Sequence, residues 1–243
     1  GCACCPPNIA RVLTSLGHYI YTPHDDALYI NLYIGNSVEI PVGNEELRLR
    51  ISGNYPWQEQ VKIVIDSSSP VNHTLALRLP DWCDKPQVTL NGAPVTQDVR
   101  KGYLHISHLW REGDTLQLTL PMPVRRIYGN PLVRHQAGQV AVQRGPLVYC
   151  LEQADNGEQL HNLQLPRDAR FSTVEGKGIF ARKILLQAPG YKQTAKDAEN
   201  QALWHYDRAP SSRQPQVLTF IPWFSWANRG EGEMRIWVNE AEA

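Results

Sequence analysis

The sequence has no excess of charge of either sign. Its 243 residues carry 24 Lys and Arg against 24 Asp and Glu, so the net charge is zero when the histidines are neutral. Without a basic field there is nothing to attract a nucleic-acid backbone, and without an acidic tail nothing to attract a basic partner. The longest apolar runs, such as residues 27–34, are broken by polar residues and are too short to span a bilayer. We therefore expect neither a nucleic acid nor a membrane as a partner.

The cysteines do not form the pattern of a disulfide framework. There are five, of which Cys2, Cys4 and Cys5 are clustered while Cys83 and Cys150 are isolated in strand-like contexts. An odd, clustered set favours a reducing compartment and a metal-binding or catalytic role over secretion. We therefore predict a cytoplasmic location.

The chain also lacks an initiator methionine and a visible signal peptide, and it begins in the middle of a motif. We interpret it as the C-terminal portion of a longer protein, which leaves open a signal peptide upstream of residue 1.

The N-terminal segment is the one clear helical pattern. Residues 4–8 read Cys-Cys-Pro-Pro-Asn, and the apolar residues that follow at helical spacing are Ile9, Val12, Leu13, Leu16 and Ile20. Proline is tolerated in a first helical turn, so we predict a helix over residues 6–17 that stops at Gly17. Thiols just before a helix are favoured as thiolates for binding a metal or for nucleophilic attack. The alternative is a pair of buried, inert cysteines.

The rest of the chain alternates with the period of β-strands. Short segments with one apolar and one polar face recur about every ten residues, at 47–51, 61–65, 75–79, 88–90 and 116–120. This pattern indicates a mainly β protein with antiparallel sheets, as a β-sandwich or jelly roll. Asn91-Gly92 predicts a hairpin turn of the primed type. Residues 155–178 are interpreted as a loop region, and 195–206 as a short helix or loop.

Several motifs together resemble one enzyme family. Residues 4–11, Cys-Cys-Pro-Pro-Asn-Ile-Ala-Arg, are similar to the cysteine motif of the β-L-arabinofuranosidase glycoside hydrolases, family 127. Further co-linear motifs agree over essentially the whole chain, at 55–57, 79–83, 90–92, 113–114, 122–126, 143–152 and 226–234. One departure is Gln58-Glu59, where the family usually has an acidic residue directly after Tyr-Pro-Trp.

The resemblance implies an architecture. The family has an N-terminal (α/α)6 barrel that carries the active site, followed by β-sandwich domains. Residues 1–38 would then be the end of that barrel, 39–154 a β-sandwich domain, and 155–243 a loop-rich β region that completes or extends it. Most of the barrel would be absent from this chain and would be its partner.

The resemblance also implies a chemistry. Family members hold zinc with three cysteines and a glutamate, and one cysteine attacks the anomeric carbon. By position, Cys4 matches the nucleophile and a zinc ligand, and Cys5 matches a second ligand. The other ligands and the glutamate acid/base would lie upstream of residue 1. The expected substrate is an arabinofuranoside or a related oligosaccharide, hydrolysed with retention.

The other polar candidates have plainer interpretations. Cys2 is expected to be structural, His18 and His24 to be surface residues or part of a sugar-contacting rim, and Asp25-Asp26 to shape a turn. Three carboxylates near in sequence stay unassigned, namely Glu39, Glu45 and Glu46.

Most of the tryptophans are expected in packing roles rather than as sugar platforms. This applies to Trp57, Trp82, Trp110 and Trp237. The crowded aromatics of residues 223–229 indicate an interface, either with the barrel or with a second copy in a homodimer. Hydrogen bonds within the sheets or across domains are expected of Arg125, Arg126 and Arg144.

Two other functions compete with the enzyme. The chain could be a non-catalytic β-sandwich that supports the barrel or binds glycan, but such a module has no need for adjacent thiols before a helix. A vicinal-disulfide switch would require a strained peptide between Cys4 and Cys5 and is disfavoured.

Overall fold

The computed structural model describes residues 4–24, 26–96, 98–195 and 211–242. It consists of two compact units, residues 1–122 and 123–243. The expectation over residues 195–206 falls almost wholly outside the described residues. Strands make up 51% and helices 14%, so the prediction of a mainly β protein is confirmed. No helix among the described residues has the length and apolar character needed to cross a membrane.

The unit boundary differs from the one expected from sequence. The structure divides at 122/123 and not at 154/155, because the strands that follow Pro123 pair with strands near the C-terminus. The expected boundary at 38/39 is not a division either, since strands that precede residue 38 pair within the sheets of the first unit.

The first unit contains two helices followed by β-structure. Its elements are α1 (Cys5–Ser15), α2 (Gly17–Ile20), β1 (Tyr21–His24), β2 (Ala27–Ile30), β3 (Asn36–Val42), β4 (Glu45–Gly53), β5 (Gln60–Ile65), β6 (Val71–Arg78), β7 (Gln87–Leu90), β8 (Ala93–Pro94), β9 (Val99–Arg100), β10 (Tyr103–Trp110) and β11 (Thr115–Thr119).

Helix α1 covers most of the predicted helix, but Gly17 does not end the helical region. The backbone at Gly17 is not in the left-handed conformation of a glycine C-cap, and α2 begins at this residue. The chain becomes extended only at Tyr21, where β1 starts. Helix α1 has no buried residue, whereas Ile20 at the end of α2 is buried.

Two sheets enclose the core of the first unit. Their strand orders are β1-β2-β6-β10-β9 and β3-β4-β5-β11-β7-β8. Alternate residues of both sheets point into one buried cluster, as Leu49, Ile63 and Leu75 do. The pairing is antiparallel as predicted, except that β2 and β6 are parallel. The Asn91-Gly92 hairpin is confirmed, since both residues have positive φ, 50° and 83°, as a type I′ turn requires.

The second unit has its own core. Its elements are β12 (Val124–Tyr128), β13 (Gln139–Arg144), β14 (Leu147–Glu152), α3 (Gln153–Asn156), β15 (Leu163–Pro166), β16 (Ser172–Glu175), β17 (Ile184–Ala195), β18 (Ser211–Pro222), β19 (Met234–Arg235) and β20 (Val238–Ala241).

The sheet of the second unit closes on itself. The order β13-β20-β15-β17-β18-β14 returns to β13, because β13 and β14 also pair. The architecture is therefore a barrel rather than the predicted sandwich. The expected loop at 155–178 contains β15 and β16, both of which pair with β17. Strands this short lie near the lower limit of strand length, which explains why their pattern was missed.

Candidate functional site

The candidate site is the pair of sulfur atoms where α1 begins. Cys4 precedes the helix and Cys5 is its first residue, and both are exposed. Their Sγ atoms lie 3.9 Å apart, well beyond the roughly 2.05 Å of a disulfide bond. In this chain the two cysteines are free and exposed, and no disulfide joins them.

The backbone around these thiols is the start of a helix. Pro6 and Pro7 occupy the first turn, where the missing N–H groups have no helical partner to lose. The backbone N–H of Asn8 donates to the Cys4 carbonyl at 3.2 Å and closes that turn. No acidic side chain in the turn and no side-chain cap compensates the positive end of the helix dipole. The two thiols therefore lie at the positive end of the helix dipole.

The spacing of the sulfurs suits a shared zinc ion. Tetrahedral Zn–S bonds of about 2.3 Å put two sulfur ligands about 3.8 Å apart, close to the 3.9 Å between Cys4 and Cys5. Across the ranges that the structure describes, no group of three or more His, Cys, Asp or Glu side chains could hold a metal. Within these ranges the sulfur pair is therefore not part of a larger metal-binding group.

The apolar face of the same helix is exposed to solvent in this chain. Ile9, Val12 and Leu13 are 61%, 49% and 67% exposed, although their spacing is that of a helix face that packs on a core. A contiguous apolar surface of this kind is typical of an interaction site.

The two other cysteines that the structure describes differ from this pair in exposure. Cys83 and Cys150 are buried in the cores of the two units. Burial raises the pKa of Cys150 to about 12, with the nearby carboxylates Glu152 and Asp155 acting in the same direction. Cys2 lies outside the described residues.

The histidine and aspartate candidates lie at the turn after β1. His24 Nδ1 is 2.9 Å from Asp26 Oδ1, and this contact lowers the pKa of Asp26. Both side chains are exposed, and His18 is exposed on α2. Asp25 is not among the described residues. The geometry of His24 and Asp26 is that of a solvated turn.

The unassigned carboxylates form surface contacts on strands β3 and β4. Glu39 and Glu46 lie 3.5 Å and 2.6 Å from Arg48, and Glu45 accepts a hydrogen bond from Ser69 at 2.5 Å. Glu59, at the departure from the family motif, accepts from the backbone N–H of Met122 at 2.8 Å. Its contact is structural.

The tryptophans divide largely as predicted. Trp110 is completely buried and donates its Nε1–H to the His73 carbonyl at 2.9 Å. Partial burial is found for Trp57, Trp82 and Trp237. By contrast, Trp223 and Trp226 are 50% and 42% exposed.

Arg126 confirms the expected hydrogen bonding, since it donates to the Pro166 carbonyl at 2.5 Å.

An ion cluster around the buried Glu152 in the second unit was missed by sequence reasoning. Arg229 donates to the carboxylates of Glu152 and Asp155, and its guanidinium carbon lies 4.8 Å from the ring centre of Phe180. Glu152 is only 3% exposed and also accepts from the Ala227 backbone N–H at 3.1 Å. The cluster anchors the turn that follows the exposed aromatics. No local pattern predicts it, since its partners are over 70 residues apart in sequence.

Comparison with known proteins agrees with this architecture. Residues 27–122 match the family model described as "Beta-L-arabinofuranosidase, GH127 middle domain", and residues 124–239 match "Glycoside hydrolase family 127 C-terminal domain". These two matches meet at the boundary between the two compact units.

Individual relatives extend the match. A protein of Bifidobacterium longum named non-reducing end β-L-arabinofuranosidase is 34% identical, over 97% of this chain and 37% of its own length. A crystal structure of a GH127 β-L-arabinofuranosidase from Geobacillus stearothermophilus is 40% identical, with a TM-score of 0.91 over 99% of this chain and 38% of that one. Another, described as a GH127 β-arabinofuranosidase, is 30% identical with a TM-score of 0.89. The chain thus spans less than two fifths of these relatives, and it belongs to glycoside hydrolase family 127.

Proposed function

We propose that this chain is the C-terminal portion of a retaining glycoside hydrolase that removes non-reducing-end β-L-arabinofuranosyl residues, with Cys4 as the nucleophile. The observation that carries the proposal is the exposed Cys4–Cys5 pair, whose sulfurs lie 3.9 Å apart at the start of α1. The substrate class is supported by the name of the Bifidobacterium longum relative.

The proposed cofactor is zinc, and Cys4 and Cys5 are the residues of this chain that would hold it. Zinc, when bound, would keep these sulfurs deprotonated at neutral pH. Both thiols are exposed in this chain and lie at the positive end of the helix dipole. Further ligands and the carboxylic acid that serves as acid/base would come from an upstream domain.

Cys4 acts in two displacements. Its Sγ forms a bond to the anomeric carbon as the glycosidic C–O bond breaks, and the upstream carboxylic acid donates its proton to the leaving oxygen. A water then attacks the same carbon, the C–S bond breaks, and the carboxylate takes the proton of the water. Two inversions at one carbon give net retention.

Helix α1 is the proposed end of an (α/α)6 barrel. Its apolar side chains Ile9, Val12 and Leu13 would be covered by the preceding helices, since an apolar helix face gains stability by burial. The exposed Trp223 and Trp226 are the proposed contact with that barrel or with a second copy in a homodimer.

The second candidate is a non-catalytic module that supports the barrel or binds glycan. It is favoured by the two compact units with cores of their own. The two candidates differ in whether the sulfur pair is required for turnover.

Single substitutions in the full-length enzyme test the proposal. Cys4→Ser should abolish arabinose release even where zinc is retained, because an alkoxide is far harder to generate near neutral pH than a thiolate. Cys5→Ser should lose zinc first, with activity partly restored by excess zinc. The matched control is Cys83→Ser, which should leave zinc content unchanged. Equal activity loss with equal zinc retention in the Cys4 and Cys5 variants would contradict the assigned roles.

Labelling and truncation add independent measurements. A haloacetamide derivative of arabinose should modify Cys4 and leave Cys83 and Cys150 unmodified, as read by peptide mass spectrometry. Purified residues 1–243 should release no arabinose from an aryl arabinofuranoside, because the acid/base is upstream. Turnover by that chain, or a label on Cys5, would show that the chemistry has been misplaced.

A further inference from the structure

A groove of about 450 Å³ lies on the outward face of the β1-β2-β6-β10-β9 sheet. The pairing register creates it. Ala27, Thr74 and Ser107 are aligned across β2, β6 and β10, so these three strands carry only small side chains in this row. Ala27 is 3% exposed, which places it at the floor. Thr74 and Ser107 contribute hydroxyl groups 2.8 Å apart.

The next row on the same face is aromatic. Tyr29, Ala76 and His105 are aligned in this row, each two residues away from its counterpart in the first row. Residues two apart on a strand share a face. Ala76 is completely buried between the two rings. A row of small residues beside a row of rings makes a trough with one aromatic wall.

The wall is held in a defined geometry. The ring of Tyr29 stands nearly perpendicular to that of Tyr103, at 83° with centres 5.1 Å apart, and to that of His105, at 86° and 5.7 Å. The Tyr103 hydroxyl donates to Asn31 Oδ1 at 2.8 Å. Edge-to-face contacts and a hydrogen bond restrict these rings before any ligand arrives, which lowers the entropy cost of binding.

The charges around the groove cancel. Asp26 and Asp98 are balanced by Arg100 and Lys101, and Arg100 makes a two-point contact with Asp98 at 3.0 Å and 2.7 Å. These four side chains sum to no net charge, so they give the groove no excess of either sign to hold an anion or a cation. It offers ring surfaces, hydroxyl groups and fixed charged hydrogen-bonding groups in a space of the size that small-molecule sites have.

We propose that this groove binds a neutral saccharide of one or two rings. A sugar ring has an apolar C–H surface that packs on an aromatic ring and an edge of hydroxyl groups that donate and accept hydrogen bonds. Tyr29 and Tyr103 supply the first contact, and Thr74, Ser107 and Asp98 supply the second. No lining residue belongs to helix α1 or its cysteine pair, so this binding goes beyond the proposed hydrolysis and stands or fails independently of it.

Titration of residues 1–243 with saccharides tests the proposal. The probes are L-arabinose, arabinobiose and xylobiose, with citrate and inorganic phosphate as anionic controls. Binding is followed through amide chemical shifts. At least one saccharide should bind saturably, with a Kd of about 1 mM or tighter, and shift amides of β6 and β10. Tyr29→Ala should weaken that binding by about tenfold, and Ser107→Phe should block it by filling the groove from an exposed position.

The matched control is Tyr128→Ala, which removes an exposed tyrosine of the second unit and should leave the affinity unchanged. Retained spectra of the unaffected strands report that each variant is folded, and Ser107→Phe keeps the test valid should Tyr29→Ala unfold. Three results would overturn the proposal: no saturable binding of any saccharide, tighter binding of citrate or phosphate, or shifts that ignore both groove substitutions.

Discussion

Removing the guanidinium of Arg229 should destabilise the second unit more than the loss of a surface ion pair would. The proposed change is Arg229→Met, which keeps a long apolar stem against Phe180 and removes the charge. Arg229, whose side chain is 25% exposed, is the ionic partner of the Glu152 carboxylate, whose side chain is only 4% exposed. Breaking a buried ion pair from one side costs about 3–5 kcal/mol, because it leaves a buried charge uncompensated.

The structure places this variant at the lower end of that range. Glu152 keeps the hydrogen bond from the Ala227 backbone N–H, so one carboxylate oxygen still has a donor. Asp155 is 19% exposed and can be rehydrated, which limits its share of the penalty. We expect a loss of about 3 kcal/mol in the free energy of unfolding of this unit, or about 10 °C in its midpoint.

The assay is urea denaturation monitored by hydrogen–deuterium exchange. Exchange in β14 and β18 reports on the second unit, and exchange in β5 and β6 on the first. The matched control is Arg100→Met, whose ion pair with Asp98 is 70% and 51% exposed and should contribute less than about 1 kcal/mol. Adding Glu152→Gln to Arg229→Met should restore part of the loss, since it removes the uncompensated charge. A loss below about 1 kcal/mol, or no recovery in the double variant, would refute the reasoning.

Two further outcomes are expected. Gly190→Ala should destabilise the second unit by about 1–3 kcal/mol in denaturant titration, because its Cβ would lie 2.6 Å from Leu218 side-chain atoms; Gly17→Ala, with no atom within 4 Å, should not, and equal effects would contradict the packing argument. Burial opposes ionisation of Glu240, but hydrogen bonds from its neighbours hold the pKa of this carboxyl below its ordinary value of 4.5. Its contribution to stability is present above pH 4.5 and lost as pH falls through the lowered pKa, so Glu240→Gln should flatten the acid side of the stability–pH curve, and an unchanged curve would refute this.

Local sequence patterns identified the features that depend on neighbours in the chain. The spacing of Ile9, Val12 and Leu13 predicted a helix because a turn of α-helix is set by residues three and four apart. Asn91-Gly92 predicted its turn because both positions need positive φ. Period-two alternation predicted strands and the mainly β class, since each pattern is read within five or six residues.

The structural features beyond those patterns depend on contacts between residues far apart in sequence. The closure of the second unit into a barrel depends on β13 pairing with both β14 and β20, and no local signal specifies which strands become neighbours. The Arg229–Glu152 cluster and the Tyr29–Tyr103 wall join residues 77 and 74 positions apart, so neither exists until the strands have paired. The sequence by itself determined the cysteine pair, its helix and the strand content; the tertiary structure alone decided the barrel, the unit boundary and the groove, because those require chain segments far apart to meet.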